Sequence, residues 1–399
     1  MLDVVVDILA FVLKILTGYT AIMGICFLLP RKKKPVVPPK TKFAILIAAR
    51  NEENVIDKLV GSLMRQDYPK ELYDIFVIPN NCTDDTESAA RRAGAQILHC
   101  TVPVKTKGDV LHWTFAHLMG KYDAYCVFDA DNIVDPAFLA RMNDVVAAGG
   151  QVAKSRQCAL NPYDNWVSGS YDLYFQNINL LHSRARAPFS LSAKLVGTGF
   201  MVTDSLMQQL GGWNTETLTE DIELAVQCAL QGVQVHYVPE ALTYDEQPLS
   251  FRVSLRQRLR WSAGVESVAN RYVGRLLAKR PSWLRWDLAA HVSMIYVQLL
   301  ALIPLIYGFI GLPLPRLIQT LVVSLVSFWV GLVAMSIFLS LAAKRNPLKM
   351  WKTILLYPLF IASWYPMHIL ALVAKPKTWK PIAHGAAINN QSEVPMQKV

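Results

Sequence analysis

Ala124-Tyr125-Cys126-Val127-Phe128, followed at once by Asp129-Ala130-Asp131, is an apolar run of strand length that stops on two carboxylates. A short continuous apolar run bounded by polar residues reads as a strand buried on both faces. Comparable units precede it. Phe43–Ala48 reads as a strand and Asn51–Gln66 as the helix after it. Tyr73–Pro79 and Asp84–Ala93 repeat the pair, and Gln96–Cys100 and the helical Lys107–Met119 continue it. This alternation, over residues 41–250, predicts an α/β domain with a mainly parallel sheet covered by helices on both faces. Ligands of open α/β sheets bind beyond the carboxyl ends of the strands, so the informative residues are those at which strands stop.

Outside that domain the composition changes. Over all 399 residues, hydrophobic residues make up 53% and charged ones 18%, against roughly 45–50% and 25% in soluble domains. The excess lies at Val4–Leu29 and after Trp286. A bilayer core needs about 20 apolar residues of helix, so residues 1–30 are expected to hold one membrane helix. Its acidic start and lack of a small-residue cleavage site argue against a signal peptide. Arg31-Lys32-Lys33-Lys34 follows, within a basic and Pro-rich linker at 31–40. Positive charge beside a span favours the inner side, which puts the N-terminus outside and the α/β domain in the cytoplasm of a multi-pass cell-membrane protein. Residues 281–374 carry stretches at about Trp286–Ile310, Leu317–Ala343 and Met350–Ala374, the last interrupted by Pro358 and Pro366. Three spans would leave the tail, 375–399, outside. Lys375, Lys377 and Lys380 argue for inside, and a bent or re-entrant third segment reconciles the two signals.

Forty basic against thirty acidic residues give +10, which suits an anionic leaflet and anionic substrates. No nucleic-acid motif, internal repeat or low-complexity tract is present. Six cysteines without metal-like spacing argue against a disulfide framework or structural metal and fit a reducing compartment. Leu317–Ala343 holds almost no charge, which disfavours a transporter.

At the strand ends, Asp129 and Asp131 can project into one cleft and hold a hard cation such as Mg²⁺ or Mn²⁺ beside substrate phosphates. A plain surface turn carries such a pair too. Arg50-Asn51-Glu52-Glu53 ends the first strand and Asn80-Asn81-Cys82-Thr83-Asp84 the second, outlining a nucleotide-sized pocket; Thr83 or Asp84 would also cap the next helix. Lys107 opens a helix, where a cation and free N–H groups could meet a phosphate. Leu218-Thr219-Glu220-Asp221 starts a further helix with Thr219 as its cap. Carboxylates are favoured there by the dipole alone, and Asp221 is also placed to take a proton from an attacking hydroxyl. In residues 251–280, Gln257, Arg260, Trp261 and Gly264 share one helical face, with Phe251, Leu255 and Leu259 opposite. Such a helix is expected to lie on a membrane surface, either as an anchor or presenting Arg and Trp to a ligand.

In this order the motifs resemble those of membrane-integrated family 2 glycosyltransferases, the group that includes hyaluronan, cellulose, chitin and poly-N-acetylglucosamine synthases. The likeness spans about Phe43–Gly264. It comprises Ala48–Glu53, Asn81–Asp84, Lys107, Asp129-Ala130-Asp131, Gly197-Thr198-Gly199-Phe200, Thr219-Glu220-Asp221 and a QxxRW pattern at Gln257, Arg260 and Trp261. Ala48 departs from a proline common in relatives, and Asn80 or Asn81 from an aspartate, which bears on nucleotide selectivity. Lys377–His384 faintly resembles a post-membrane tryptophan motif and favours a cytoplasmic tail. The resemblance implies a GT-A, Rossmann-like fold, a UDP-sugar donor (UDP-glucose or UDP-N-acetylglucosamine), Mg²⁺ or Mn²⁺, and inversion at the anomeric carbon. Glu52 and Asp84 would hold the nucleoside with Lys107 nearby, Asp129 the nucleotide and Asp131 the metal. Asp221, beside Glu220, would be the base. Gly197, Thr198, Gly199 and Phe200 would line the acceptor terminus. Gln257 and Arg260 would face the diphosphate, and Trp261 would stack on the acceptor sugar. The expected activity is processive extension of a polysaccharide coupled to its passage into the membrane; the alternative is addition of one sugar to a lipid-linked acceptor.

Overall fold

The computed structural model describes residues 2–31, 35–278 and 280–374. The basic residues 32–34 and the tail 375–399, which carry several of the topology signals above, lie outside them.

One eight-stranded sheet organises the domain: β1 (Phe43–Ala49), β2 (Tyr73–Pro79), β3 (Gln96–Ile97), β4 (Ala124–Asp129), β5 (Asn132–Val134), β6 (Val152–Ala159), β7 (Phe200–Thr203) and β8 (Val235–Asp245). The spatial order is β3-β2-β1-β4-β7-β6-β8-β5. Side chains alternate across each strand, so β1 feeds two cores. Phe43, Ile45 and Ile47 pack in one with residues of α2 (Ile56–Leu63), α3 (Thr86–Arg92) and α5 (Phe138–Ala147). Ala44 and Leu46 pack in the other with residues of α4 (Lys107–Leu118), α7 (Asp204–Leu210) and α8 (Glu220–Leu230). The sheet is mixed rather than mainly parallel. β1 runs parallel to β2 and β4, and β6 to β8, but the four-residue β7 runs antiparallel to both β4 and β6. Residues 185–199 return the chain to the end at which β4 stops, so β7 enters the sheet from that end.

Helix and strand ends differ from the periodicity where polar side chains cap the backbone. The helix expected from Asn51 starts at Ile56, because Asn51 is left-handed and its side-chain oxygen accepts from Thr83 N–H at 2.8 Å. The helix expected from Asp84 starts at Thr86, whose N–H donates to Asp84 Oδ1. Glu52, Glu53 and Asp84 therefore sit in one knot of turns. β3 is only two residues long, and 98–106 form the approach to α4.

The remaining helices are α1 (Leu2–Ile25), α6 (Trp166–Asn177), α9 (Phe251–Ala278), α10 (Trp283–Val292), α11 (Met294–Leu300), α12 (Leu302–Tyr307), α13 (Leu314–Ala342), α14 (Trp351–Ala362) and α15 (Trp364–Ala374). Among the described residues, three helical stretches are long and apolar enough to cross a membrane: Leu2–Leu28, Leu314–Ala342 and Trp351–Ala374. The apolar stretch after Trp286 is a bent pair, Trp283–Val292 and Met294–Tyr307, meeting at 53°. On α13, Leu325 and Val330 are each over 60% exposed, a surface suited to hydrocarbon rather than water. The third stretch breaks at Ser363, three residues before Pro366, because a proline ring crowds the carbonyl four residues back.

Helix α9 packs against α8, α10 and α15, so it is not a lone helix on a surface. Its most deeply placed polar group is Arg258, fully buried. Arg258 Nη1 donates at 2.8 Å to Phe360 O and to Ser363 Oγ, at the break between α14 and α15. The Phe360, Trp364 and Phe251 rings lie 4.1, 5.4 and 5.6 Å from the guanidinium carbon. Hydrogen bonds at one edge and π faces around it offset the cost of burying the charge. At Gly264 the helix meets Thr219 so closely that a Cβ would lie 2.5 Å from Thr219 Cγ2. Gly264→Ala is therefore expected to destabilise the protein by about 1–3 kcal/mol, as overpacking does. Thermal unfolding checks this, and adding Thr219→Ala, which removes the nearest atoms, should restore part of the loss.

Candidate active site

A cavity of about 1160 Å³ opens where the strands end. It exceeds the range of roughly 300–1,000 Å³ typical of small-ligand pockets, which leaves room for two reactants. Its walls bring together Glu52 after β1, Asp129 and Asp131 at and after β4, and Asp245 and Glu246 at and after β8. Lys107, Gly197, Glu220, Asp221, Gln257, Arg260 and Trp261 complete that part of the lining.

Lys107 joins three of these loops. Its Nζ lies 2.5 Å from Asp129 Oδ1 and donates to Gly197 O at 3.2 Å, with Glu220 Oε1 at 3.7 Å. Thr106 caps the helix behind it, in a reciprocal box with Asp109. The lysine is thus committed to Asp129 rather than extended into solvent. Gly197, at φ +60°, donates its N–H to Asp221 Oδ2, while Ile222 N–H donates to Asp221 Oδ1 at 2.7 Å. Asp221 is thereby aimed into the cavity from the first turn of α8, whose cap position is Thr219. The Thr219 hydroxyl makes no capping bond; Glu223 accepts the N–H groups of Glu216 and Thr217 instead.

Not every motif residue reaches the cavity wall. Thr198 is buried, accepts from Asp129 N–H at 2.9 Å and donates to Asn132. Gly199 joins β4 to β6, accepting from Ser155 N–H and donating to Val127 O. Phe200 is in the core, stacked on Trp213. Of Gly197–Phe200, then, Gly197 alone lines the cavity. Asp84 is not in the wall; it braces the Glu52 loop through Thr86 and Glu53 N–H, and Thr86 Oγ1 in turn accepts from Glu52 N–H.

The carboxylates crowd one another. Burial, then Asp129, pushes Asp131 up to about 8; burial, then Asp131 and Asp129, pushes Glu52 up to about 9. Asp245 rises to about 7 by burial and Asp131. Glu220 also rises to about 7, because burial outweighs the nearby Lys107. A buried lysine behind the cavity lining, Lys154, falls to about 8 by desolvation and spends its Nζ on Thr198 O and Gln157. Among the described residues no group of three or more His, Cys, Asp or Glu is close enough to enclose a metal by itself. Mg²⁺ and Mn²⁺ commonly take one or two carboxylates plus substrate phosphates, and the accumulated negative charge at Asp129 and Asp131 fits that mode.

The far half of the cavity is aromatic and apolar. Trp261 lies 6.5 Å from Tyr174 and 6.3 Å from Trp364, all near-parallel. Gln257 is fixed by Tyr171 OH at 2.8 Å, and Arg260 reaches Leu218 O at 3.4 Å. Beyond them the lining passes to Ile295, Phe328, Ile361 and His368, on the apolar helices. Sequence reasoning missed Asp245, Gln157, Lys154, Arg258 and Trp364. Asp245 ends a strand, so the strand-end rule could have found it. Nothing local marks the others.

Comparison with known proteins is consistent with this geometry. A model of the glycosyltransferase-like family 2 matches residues 38–264, more than half of the chain. A probable glycosyltransferase of Bacillus subtilis, YdaM, is 28% identical over 259 residues, 62% of this chain and 60% of the relative. The β-monoglucosyldiacylglycerol synthase of Nostoc is 26% identical over 304 residues, 71% of this chain and 62% of the relative. The chain thus matches about three-fifths of the length of these relatives. The structure of a Pyrobaculum calidifontis mannosyltransferase, in complex with GDP-Man and Mn²⁺, covers 93% of this chain and all of its own. Its TM-score is 0.59 at 17% identity, a likeness of fold. With a GT-A, Rossmann-like sheet and carboxylates at its strand ends, the chain belongs to family 2 of the glycosyltransferases.

Proposed function

We propose that this protein is an inverting membrane glycosyltransferase that moves one sugar from a UDP-sugar to a hydroxyl of a lipid-borne acceptor. The observation that carries this is the single cavity running from the acidic cluster at Asp129 and Asp131 to the apolar helices at Ile295 and Phe328. A polar donor fits one end and an acceptor with a hydrocarbon tail the other. The relative named for making β-monoglucosyldiacylglycerol supports a lipid acceptor. The aromatic wall of Trp261, Tyr174 and Trp364 also suits a sugar chain, so stepwise extension of a polysaccharide is the second reading. In both, the apolar stretches hold the protein in the cell membrane with the α/β domain on the cytoplasmic side and the N-terminus outside.

In this mechanism Asp221 takes the proton of the acceptor hydroxyl as its oxygen bonds to the anomeric carbon. The bond from that carbon to the diphosphate breaks on the opposite face, and the electron pair leaves with UDP. Gly197 N–H and the first turn of α8 hold Asp221 in place; Glu52 and its loop hold the nucleoside side. Arg260 and Gln257 face the leaving diphosphate, where a fixed guanidinium stabilises charge as it develops. Asp129 and Asp131 would hold Mg²⁺ or Mn²⁺, which when bound supplies further positive charge beside the diphosphate.

The deciding experiment incubates the detergent-purified protein with radiolabelled UDP-glucose or UDP-N-acetylglucosamine, Mn²⁺ and membrane lipid extract, then sizes the product. Label in a lipid fraction carrying one sugar is the expected result; a long water-soluble chain would establish the polymer reading instead. Asp221→Asn should lower kcat about 10²–10⁴-fold with donor binding nearly unchanged, and full turnover in that variant would remove Asp221 from its role. Asp131→Asn should cost the Mn²⁺-dependent part of UDP affinity, at least about tenfold, the low end of what metal sites lose on losing even an outer partner. Calorimetric titration with and without Mn²⁺ reads this directly.

A further inference from the structure

A second, smaller cavity of about 90 Å³ lies on the other side of β6 and β8. Arg156, Arg184, Gln176, Asn179 and Tyr237 supply its polar lining, and Leu339 and Ala342, in the last turn of α13, its apolar floor. Two irregularities shape it. Arg156 stands at the register shift between β6 and β8, and such a bulge re-aims a side chain. Arg184 ends a π-helical segment, Ile178–Arg184, a rare geometry found frequently at functional sites. Two independent departures from regular structure thus bring two guanidinium groups to one small space.

Neither arginine is neutralised. Among the described residues no carboxylate lies within ion-pair reach of either. Arg156 donates to Gln176 Oε1 at 3.2 Å and Arg184 to Phe27 O at 3.1 Å. Three other arginines that are at least half-buried do meet carboxylates, Arg345 with Asp172, Arg186 with Asp287 and Arg31 with Glu240. Phe27 follows α1, and its ring lies 5.8 Å from Phe338 of α13. The pocket therefore sits where the two longest apolar helices meet the α/β domain.

We propose that Arg156 and Arg184 bind the phosphate headgroup of an anionic phospholipid, with its acyl chain running along Leu339 and Ala342. Two guanidinium forks match phosphate oxygens, the cavity has room for one such group, and Leu339 and Ala342 of α13 offer an apolar track beside it. The site is separate from the catalytic cavity and rests only on the membrane placement above.

The test uses the intact protein in phosphatidylcholine nanodiscs, titrated with phosphatidylglycerol and, separately, with inorganic phosphate. Wild type should bind phosphatidylglycerol well above phosphatidylcholine. Arg156→Gln and Arg184→Gln should each weaken it about fivefold, as loss of one basic residue at an anionic surface does. Arg156→Lys, which keeps the charge but loses the planar fork, should fall between wild type and Arg156→Gln, and Arg92→Gln, a charge-matched change on exposed α3, should have no effect. Equal affinity in wild type and both glutamine variants overturns the site. Inorganic phosphate binding as tightly as phosphatidylglycerol overturns the lipid as its occupant. If Arg156→Gln fails to fold, exposed Arg184→Gln carries the test. Failure of the protein to partition into membranes at all would instead overturn the placement.

Discussion

The contact between Lys107 and Asp129 is the constraint around which the site is arranged. An ammonium at the start of α4 meets a carboxylate at the end of β4, and the same nitrogen holds the carbonyl of Gly197. That carbonyl belongs to the residue whose N–H orients Asp221. The loops that carry Asp129 and Asp221, about ninety residues apart in the chain, are therefore tied through one side chain. Burial works against the charge on Lys107, but Asp129 and Glu220 more than offset it, and the lysine is held above its ordinary value. The cation is as much a structural rivet as a ligand-facing group.

Arg258 does for the membrane side what Lys107 does for the sheet. Its hydrogen bonds to Phe360 O and Ser363 Oγ join α9, which carries Gln257, Arg260 and Trp261, to the break between α14 and α15. A helix break in an apolar segment frees backbone carbonyls that lipid cannot satisfy, and the guanidinium satisfies one of them. The break also turns Trp364 toward Trp261. The α/β domain and the apolar helices consequently share one cavity, with Asp221 in its wall.

Much of the site was legible because strand ends are legible. Asp129, Asp131, Glu52 and Asp221 stand immediately after apolar runs or at a helix start, and period and length expose those positions without any long-range information. Asp84 and the stretch Thr198–Phe200 were harder, since a motif names a neighbourhood and not a direction. Whether Thr198 points at a ligand or at Asn132 depends on how β7 enters the sheet, and nothing within four residues of β7 says that it runs antiparallel. On the helix carrying Gln257 and Arg260 the shared face of Gln257, Arg260 and Trp261 is legible, but the burial of Arg258 is not. Arg258 looks like one more exposed cation until α14 and α15 fold over it.

The sequence alone determined the α/β alternation, the long apolar stretches and the order of carboxylates along the chain. These depend on local periodicity and on hydrophobic length, both of which a linear pattern records. Only the tertiary structure decided which of those carboxylates share a cavity and which arginines find partners. It also decided that the carboxylate cluster and the apolar helices enclose one space. Those outcomes rest on contacts between residues from about twenty to more than a hundred positions apart, whose geometry no local pattern encodes.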